Sequence, residues 1–198
     1  MILRVLTLCT FLLTTHPYLQ AQTSDDELSK SPFFGKSSYN LLAGGGFNVT
    51  PLEGPYRLYN IMGQWSWRLN WVQPSLGDFH GLEYFFEWEW SPGSSPDGFE
   101  MQVGLNGGLR YQVPLFGNLD AFVMGSSGPH IITAAFERQR NGFLFSSQSG
   151  IGLSYRTNRK DQAINVQARI RHVSNAGLAN PNAGINTFHV VLGYRKWL

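Results

Sequence analysis

The sequence predicts an all-β fold, an eight-stranded antiparallel transmembrane β-barrel of the outer membrane. The first observation is composition: aromatic residues make up 14% of the chain and glycines number 22, while charged residues make up only 14%, against about 25% in ordinary soluble domains. The second is strand length. Apolar and polar residues alternate over runs of roughly ten residues or more, as a tilted membrane strand requires, whereas strands of soluble proteins have about 5–6 residues.

The N-terminal segment has the pattern of a secretory signal peptide. Arg4 precedes a short apolar run, Val5–Leu13, and a small residue, Ala21, offers a cleavage site. The apolar run is too short to cross a bilayer as a helix, which needs about 20 residues. We therefore expect three parts: a signal peptide at 1–21, a flexible mature N-terminus at 22–37 and the β-barrel at 38–198.

Cysteine use and charge exclude several classes of function. Cys9 is the only cysteine and falls in the expected signal peptide, so the mature chain has neither a disulfide framework nor a cysteine metal site. Without Arg4 of the expected signal peptide, the formal net charge of +2 falls to +1, which gives no electrostatic footprint for nucleic acid. No cofactor, metal ion or nucleic-acid partner is expected, and a homodimer is left open.

Eight alternating segments account for the barrel. In the clearest of them, around Leu82–Trp90, aromatic residues alternate with Glu83, Glu87 and Glu89. An even number of antiparallel strands closes into a barrel that leaves no unpaired edge in lipid. The expected strands are Tyr39–Val49, Arg57–Trp71, Leu82–Trp90, Phe99–Val113, Leu119–Ser127, Phe143–Tyr155, Gln162–Ser174 and Asn186–Trp197.

The connections are expected to be short at the periplasmic end and longer at the outer end, with His80 and His130 at loop ends. An N-terminus in the periplasm gives this sorting, which is usual for outer-membrane barrels. The expected periplasmic turns are Pro74–Asp78, Phe116–Asn118 and Asn158–Asp161, and the outer loops are Pro51–Pro55, Ser91–Gly98, Gly128–Asn141 and Asn175–Ile185. An extension of the fifth strand into Gly128–Asn141, beyond the bilayer, is the alternative for that segment.

The polar faces of the strands predict a filled interior and no pore. Eight strands leave room only for side chains, and lone charges in such an interior are costly. We expect the inward charges to pair in a buried network. They are Glu83, Glu87, Glu89, Arg68, Arg110, Arg169 and Arg171.

The seventh strand carries the candidate chemistry. Its apolar row, facing lipid in a barrel, ends in His172 and Ser174, and Asn186 opens the eighth strand on the same outward row. A serine hydroxyl needs an adjacent base to act as a nucleophile, and histidine, with an unperturbed pKa of about 6.5, supplies one. A third polar group holds the other ring nitrogen in such sites.

A contiguous motif surrounds these residues. His172-x-Ser-Asn-Ala-Gly-Leu178 is followed by Pro181-Asn-x-Gly-Ile185, and the pair resembles the motif of the PagL family of outer-membrane lipid A 3-O-deacylases. The resemblance implies an esterase that removes the 3-linked acyl chain of lipid A, so that lipopolysaccharide is the substrate. It implies His172 as base and Ser174 as nucleophile, and it makes Asn175, Asn182 and the amide of Gly177 candidates for the oxyanion hole.

The chain departs from the family pattern at Asn186, where the family has a glutamate that orients the histidine. Asparagine can accept the ring N–H but cannot stabilise imidazolium by charge, which predicts a weakened enzyme. Glu137 in the preceding outer loop is an alternative source of that charge. The other class of function left open is a non-catalytic small outer-membrane barrel, structural or adhesive, that retains a degenerate motif.

Overall fold

Eight antiparallel strands close into one barrel in the computed structural model, which describes residues 34–50, 52, 54–70, 79–159 and 161–198. Each strand pairs with its neighbours in chain order, and the first pairs with the last. No helix in the described parts of the chain is long and apolar enough to cross a membrane. The strands are β1 (Phe34–Asn48), β2 (Arg57–Leu69), β3 (Gly81–Ser95), β4 (Gly98–Phe116), β5 (Leu119–Ile132), β6 (Gly142–Arg156), β7 (Gln162–Ser174) and β8 (Ile185–Trp197).

The strand number and order match the sequence prediction, and the bounds of β7 are those predicted. β1 begins at Phe34, inside the segment expected to be a flexible N-terminus. The turn at 116–118 lies where predicted, between β4 and β5. The expected signal peptide at 1–21 and the turn at 74–78 lie outside the described residues.

The predicted outer loop Ser91–Gly98 is wrong, because most of it belongs to β3. That strand continues to Ser95 and leaves a turn of two residues before β4. Pro92, which suggested the loop, pairs with β4 but falls in a gap of the β2–β3 ladder, between the pairs that Gly93 and Trp90 make with β2. A proline cannot donate to a ladder and is tolerated where the ladder is interrupted.

The predicted outer loop Gly128–Asn141 is also too long, because its first five residues belong to β5. β5 extends to Ile132, and Pro129 falls in a gap of the β4–β5 ladder while it pairs with β6. A Cβ at Gly128 would run into the backbone of Leu105, so glycine permits the close approach there. His130 is therefore no loop residue: its side chain is buried inside the barrel and contacts Asn106.

The predicted facing of β7 and β8 is confirmed. The outward apolar row of β7 is exposed, with Ile164 and Ile170 each 56% exposed, while Arg169 and Arg171 on the other face are buried. β8 follows the same pattern, with Leu192 exposed and His189 buried. The outer surface is thus apolar over most of the strands, as a lipid-facing barrel requires.

The predicted buried ion network is confirmed for Arg169 and Arg171, and it ties one wall of the barrel to the other. The buried Arg110 instead donates to Gln64 Oε1 at 2.8 Å and lies over the ring of Phe122. Arg169 makes two hydrogen bonds to Glu87, of 2.8 and 2.9 Å, and Arg171 is paired with Glu89. Arg195, which the sequence prediction did not include, is paired with Glu83 at 2.5 Å. All three carboxylates lie on β3 and all three arginines on β7 or β8, so the interior charges fix these strands relative to β3.

An apolar cluster lies at the end of the barrel that carries the β1–β2, β3–β4, β5–β6 and β7–β8 connections, here called the outer end. Its buried members are Tyr56, Leu58, Ile132, Ala134, Leu144, Val173 and Ile185. Phe136 of the β5–β6 loop packs edge-on against Tyr56, with ring centroids 4.9 Å apart. Burial raises the pKa of Tyr56 to about 12, so its hydroxyl stays protonated. The packing of Leu52 and Phe136 on this cluster holds the β1–β2 and β5–β6 loops against the barrel.

Candidate active site

His172 and Ser174 lie on the outward face of β7, at its outer end. The strand alternates strictly, so these two side chains continue the row of Ile170. His172 is exposed and Ser174 is half-buried. Both therefore lie at the surface that faces lipid, with Ser174 as the last residue of the strand and His172 two residues before it.

Asn186 holds the ring of His172. The two residues are directly opposite in the β7–β8 ladder, and His172 Nδ1 lies 2.8 Å from Asn186 Oδ1. Because that oxygen can only accept, Nδ1 carries the proton and donates it. The lone pair is then on Nε2, which is the arrangement that a general base needs.

Asn186 is itself fixed by the end of β1. Its backbone N–H donates to Thr50 Oγ1 at 2.8 Å. Its carbonyl accepts from the amide of Val49 at 2.9 Å and from that of Thr50 at 3.4 Å. The orientation of the histidine thus depends on the closure of the barrel between β8 and β1.

The β7–β8 loop brings the three predicted oxyanion residues into one hydrogen-bonded group. Asn175 N–H donates to Asn182 Oδ1 at 2.8 Å, and Gly177 N–H donates to Asn175 Oδ1 at 3.0 Å. Asn175 Nδ2 donates to the carbonyl of Ala179 at 2.6 Å. Asn182 uses its oxygen in this group, so its Nδ2 is the atom that can donate to a ligand.

Gly184, in the same loop, packs its backbone against the ring of His172. Its φ of 73° lies in the left-handed region, which glycine adopts without strain. A Cβ built on Gly184 would collide with Cε1 and Nε2 of His172. The ring therefore rests on a bare backbone, and the glycine of the motif is explained by this contact.

Gln139 of the β5–β6 loop was missed at the sequence level. It is buried, its Oε1 accepts from Gly184 N–H at 3.1 Å, and its backbone forms an isolated bridge with Asn182. Beside it, Ala183 N–H donates to the carbonyl of Arg138 at 2.8 Å. A lone glutamine in a polar loop gives no signal in the sequence, because its partners belong to another loop.

Glu137 lies in the exposed turn between Phe136 and Gln139. The side chain that contacts His172 Nδ1 is that of Asn186, so the geometry gives the orienting position to Asn186. In the described ranges, no three His, Cys, Asp or Glu side chains gather where they would hold a metal ion.

A family model of lipid A 3-O-deacylases (PagL) matches residues 56–195. The chain belongs to this family. The match to the PagL model runs from Tyr56, the residue before β2, to Arg195, two residues before the end of β8. It includes the whole β7–β8 loop. No curated protein matches the chain significantly in sequence.

Solved structures share the barrel fold of this PagL-family chain. The outer membrane enzyme PagL is 19% identical, with 79% of this chain and 97% of that chain covered and a TM-score of 0.58. Neisserial surface protein A is 9% identical, with 84% and 97% covered and a TM-score of 0.55. At these identities the likeness concerns the fold.

Proposed function

We propose that the protein is an outer-membrane serine esterase that hydrolyses the 3-linked acyl ester of lipid A. The observation that carries the proposal is the hydrogen bond of 2.8 Å between His172 Nδ1 and Asn186 Oδ1, made on the outward face that also bears Ser174. Family membership supports the reaction and the substrate. The apolar outer surface supports a site that takes its substrate directly from the membrane.

The reaction begins with Ser174. His172 Nε2 removes the hydroxyl proton as Ser174 Oγ attacks the ester carbonyl, and Nδ1–H remains bonded to Asn186 Oδ1. The bond between the carbonyl carbon and the sugar 3-oxygen then breaks, and His172 returns the proton to that oxygen. Water attacks the acyl group left on Ser174, His172 takes a proton from it, and the fatty acid leaves as Ser174 regains its hydrogen.

The oxyanion of the tetrahedral intermediate is stabilised by N–H donors of the β7–β8 loop. Asn182 Nδ2 is available for this, since its oxygen is the atom bonded to Asn175. Gly177 N–H donates to Asn175 Oδ1, so it has to exchange that partner for the oxyanion. The loop thus rearranges one hydrogen bond when substrate binds.

The proposal is tested with purified, folded protein and purified lipid A. Ser174→Ala and His172→Ala are each expected to reduce release of the 3-linked acyl chain by about 10⁴-fold or more, the usual loss of a nucleophile or its base. Folding is checked by the heat-dependent mobility of the barrel on gels. Normal release by either folded variant would contradict the assigned roles.

One observation favours a second candidate function, a non-catalytic barrel that retains the motif: the neutral Asn186 stands where the family pattern has a glutamate. An uncharged partner does not stabilise the imidazolium that forms when His172 accepts a proton. Asn186→Glu separates the two candidates. A gain in acyl release over a measurable wild-type rate supports a weakened enzyme, and no release by either form supports the non-catalytic barrel.

A further inference from the structure

Two serines extend the outward row of the candidate site. Ser127 of β5 is directly opposite Ser147 of β6, Ser147 is opposite His172, and His172 is opposite Asn186. Both serines are exposed on the face that bears the histidine. Directly opposite residues have Cβ atoms about 4.5–5.5 Å apart, so Ser147 borders His172 on the side away from Asn186.

The hydrogen bonds of this pair leave an acceptor on Ser147. Ser127 Oγ donates its hydrogen to the carbonyl of Ser146 at 2.7 Å. In the contact of 3.3 Å between the two hydroxyls, Ser147 therefore donates and Ser127 accepts, because a hydroxyl has only one hydrogen. Ser147 Oγ then keeps both of its acceptor lone pairs, on an exposed residue directly opposite the histidine.

Apolar side chains lie beside the pair on the outward face. Phe145, two residues before Ser147 on β6, is 36% exposed, and Ile170, two residues before His172 on β7, is 56% exposed. A hydroxyl oxygen turned toward hydrocarbon without a full set of partners is unfavourable. A hydrogen-bond donor on a bound lipid would satisfy it.

The position along the strands indicates which part of the lipid is near. His172 precedes Ser174 by two residues on a strand that runs toward the outer end, a distance of about 7 Å. The row that contains Ser147 thus lies deeper in the membrane than the nucleophile. In an outer-leaflet lipid, the acyl chain lies deeper than the ester that links it to the sugar.

We propose that Ser147, held by Ser127, accepts a hydrogen bond from a hydroxyl of the acyl chain that is being removed, and so selects hydroxylated acyl chains. The inference rests on the proposed function, since it takes Ser174 as the point of attack. The same acceptor chemistry would also suit the amide N–H of a neighbouring acyl chain on the sugar, and the test separates these two sources.

The test measures binding without turnover. Ser174→Ala protein in detergent is given equal amounts of two synthetic glucosamine lipids that differ only in the hydroxyl of the 3-linked chain, and native mass spectrometry counts the bound forms. We expect about fivefold preference for the hydroxylated lipid, the size expected of one hydrogen bond. Adding Ser147→Ala should abolish the preference.

Ser149→Ala is the matched control. Ser149 is exposed on the same face of β6, but it lies opposite Gly125 and Ile170 and has no hydroxyl partner in the row. Its loss should leave the preference unchanged. A preference that is absent from the parent, or that survives Ser147→Ala, would overturn the proposal.

A third lipid, with the neighbouring amide replaced by an ester, distinguishes the donors. If this replacement removes the Ser147-dependent binding and removal of the hydroxyl does not, the assignment to the acyl hydroxyl is overturned. Acyl release by the wild-type protein is measured on the same lipids. No release with the binding preference intact would refute the esterase alone, whereas release with no preference would refute the Ser147 site alone.

Discussion

The two faces of β7 use polar side chains in opposite ways. On the inner face, Arg169 and Arg171 are buried and paired with carboxylates of the opposite wall. On the outer face, His172 has one side-chain partner, Asn186, on the adjacent strand. The inner charges are compensated across the barrel, while the outer groups keep unused hydrogen-bonding capacity next to lipid.

Under the proposed function, this difference separates structural from chemical roles along a single strand. A buried guanidinium with a bidentate carboxylate partner contributes to the position of the strand and has no access to substrate. An exposed imidazole that is held by a hydrogen bond at one ring nitrogen presents the other nitrogen to the membrane. The inner face should therefore govern stability, and the outer face activity.

Removing an inner partner should give the larger loss of stability. Glu87→Ala leaves Arg169 buried without its carboxylate, and we expect the free energy of unfolding to fall by about 3–5 kcal/mol. Urea unfolding of the barrel in lipid vesicles measures it. Glu87→Gln, which keeps an acceptor, should lose less and remains informative if the alanine variant does not fold.

His172→Ala is the outer-face counterpart and should change the free energy of unfolding by no more than about 0.5 kcal/mol, while it abolishes acyl release. Equal destabilisation by Glu87→Ala and His172→Ala would remove the distinction between the two faces.

Displacing the histidine should lower activity by more than the accompanying backbone strain explains. Gly184→Ala places a methyl group where the ring of His172 lies, and we expect kcat for acyl release to fall by about 100-fold, as for a misplacement of about 1 Å. Gly117→Ala is the control, since Gly117 also has a positive φ, of 55°, but nothing lies within 4 Å of its added Cβ. An equal loss of kcat in both variants would indicate backbone strain and not the contact with the ring.

A charge at the orienting position should have the smallest effect, and a favourable one. Asn186→Asp keeps the side-chain length and the 2.8 Å contact with Nδ1 but adds a negative charge that stabilises imidazolium. We expect kcat for acyl release to rise by about tenfold, a modest effect beside that of losing the base. Asn186→Ala should lower it, and a rise in the alanine variant would exclude an orienting role.

Alternation predicted most of the barrel because it is a local property. The outward row of β7 and its inward arginines can be assigned from the two-residue period alone. Closure of the barrel then follows, because a sheet edge exposed to lipid would leave backbone groups without hydrogen bonds. The interior pairing of Arg195 with Glu83 was not predicted, since nothing local says which residues of opposite walls are level with each other.

The errors have a common origin in contacts between segments distant in the chain. Pro92 and Pro129 suggested loops, yet each is accommodated by a gap in the ladder toward one neighbouring strand. Gln139 was missed because its partner, Gly184, lies in another loop. Alternation placed His172 and Asn186 on one outward face, but the contact of the ring with Gly184 required the structure.

The most direct test is the mass of lipid A from cells that express the protein, compared with cells that express the folded Ser174→Ala variant. The account predicts that the wild-type protein alone produces lipid A lighter by one 3-linked hydroxyacyl chain. Identical lipid A in both cells, with both barrels folded in the outer membrane, would contradict it.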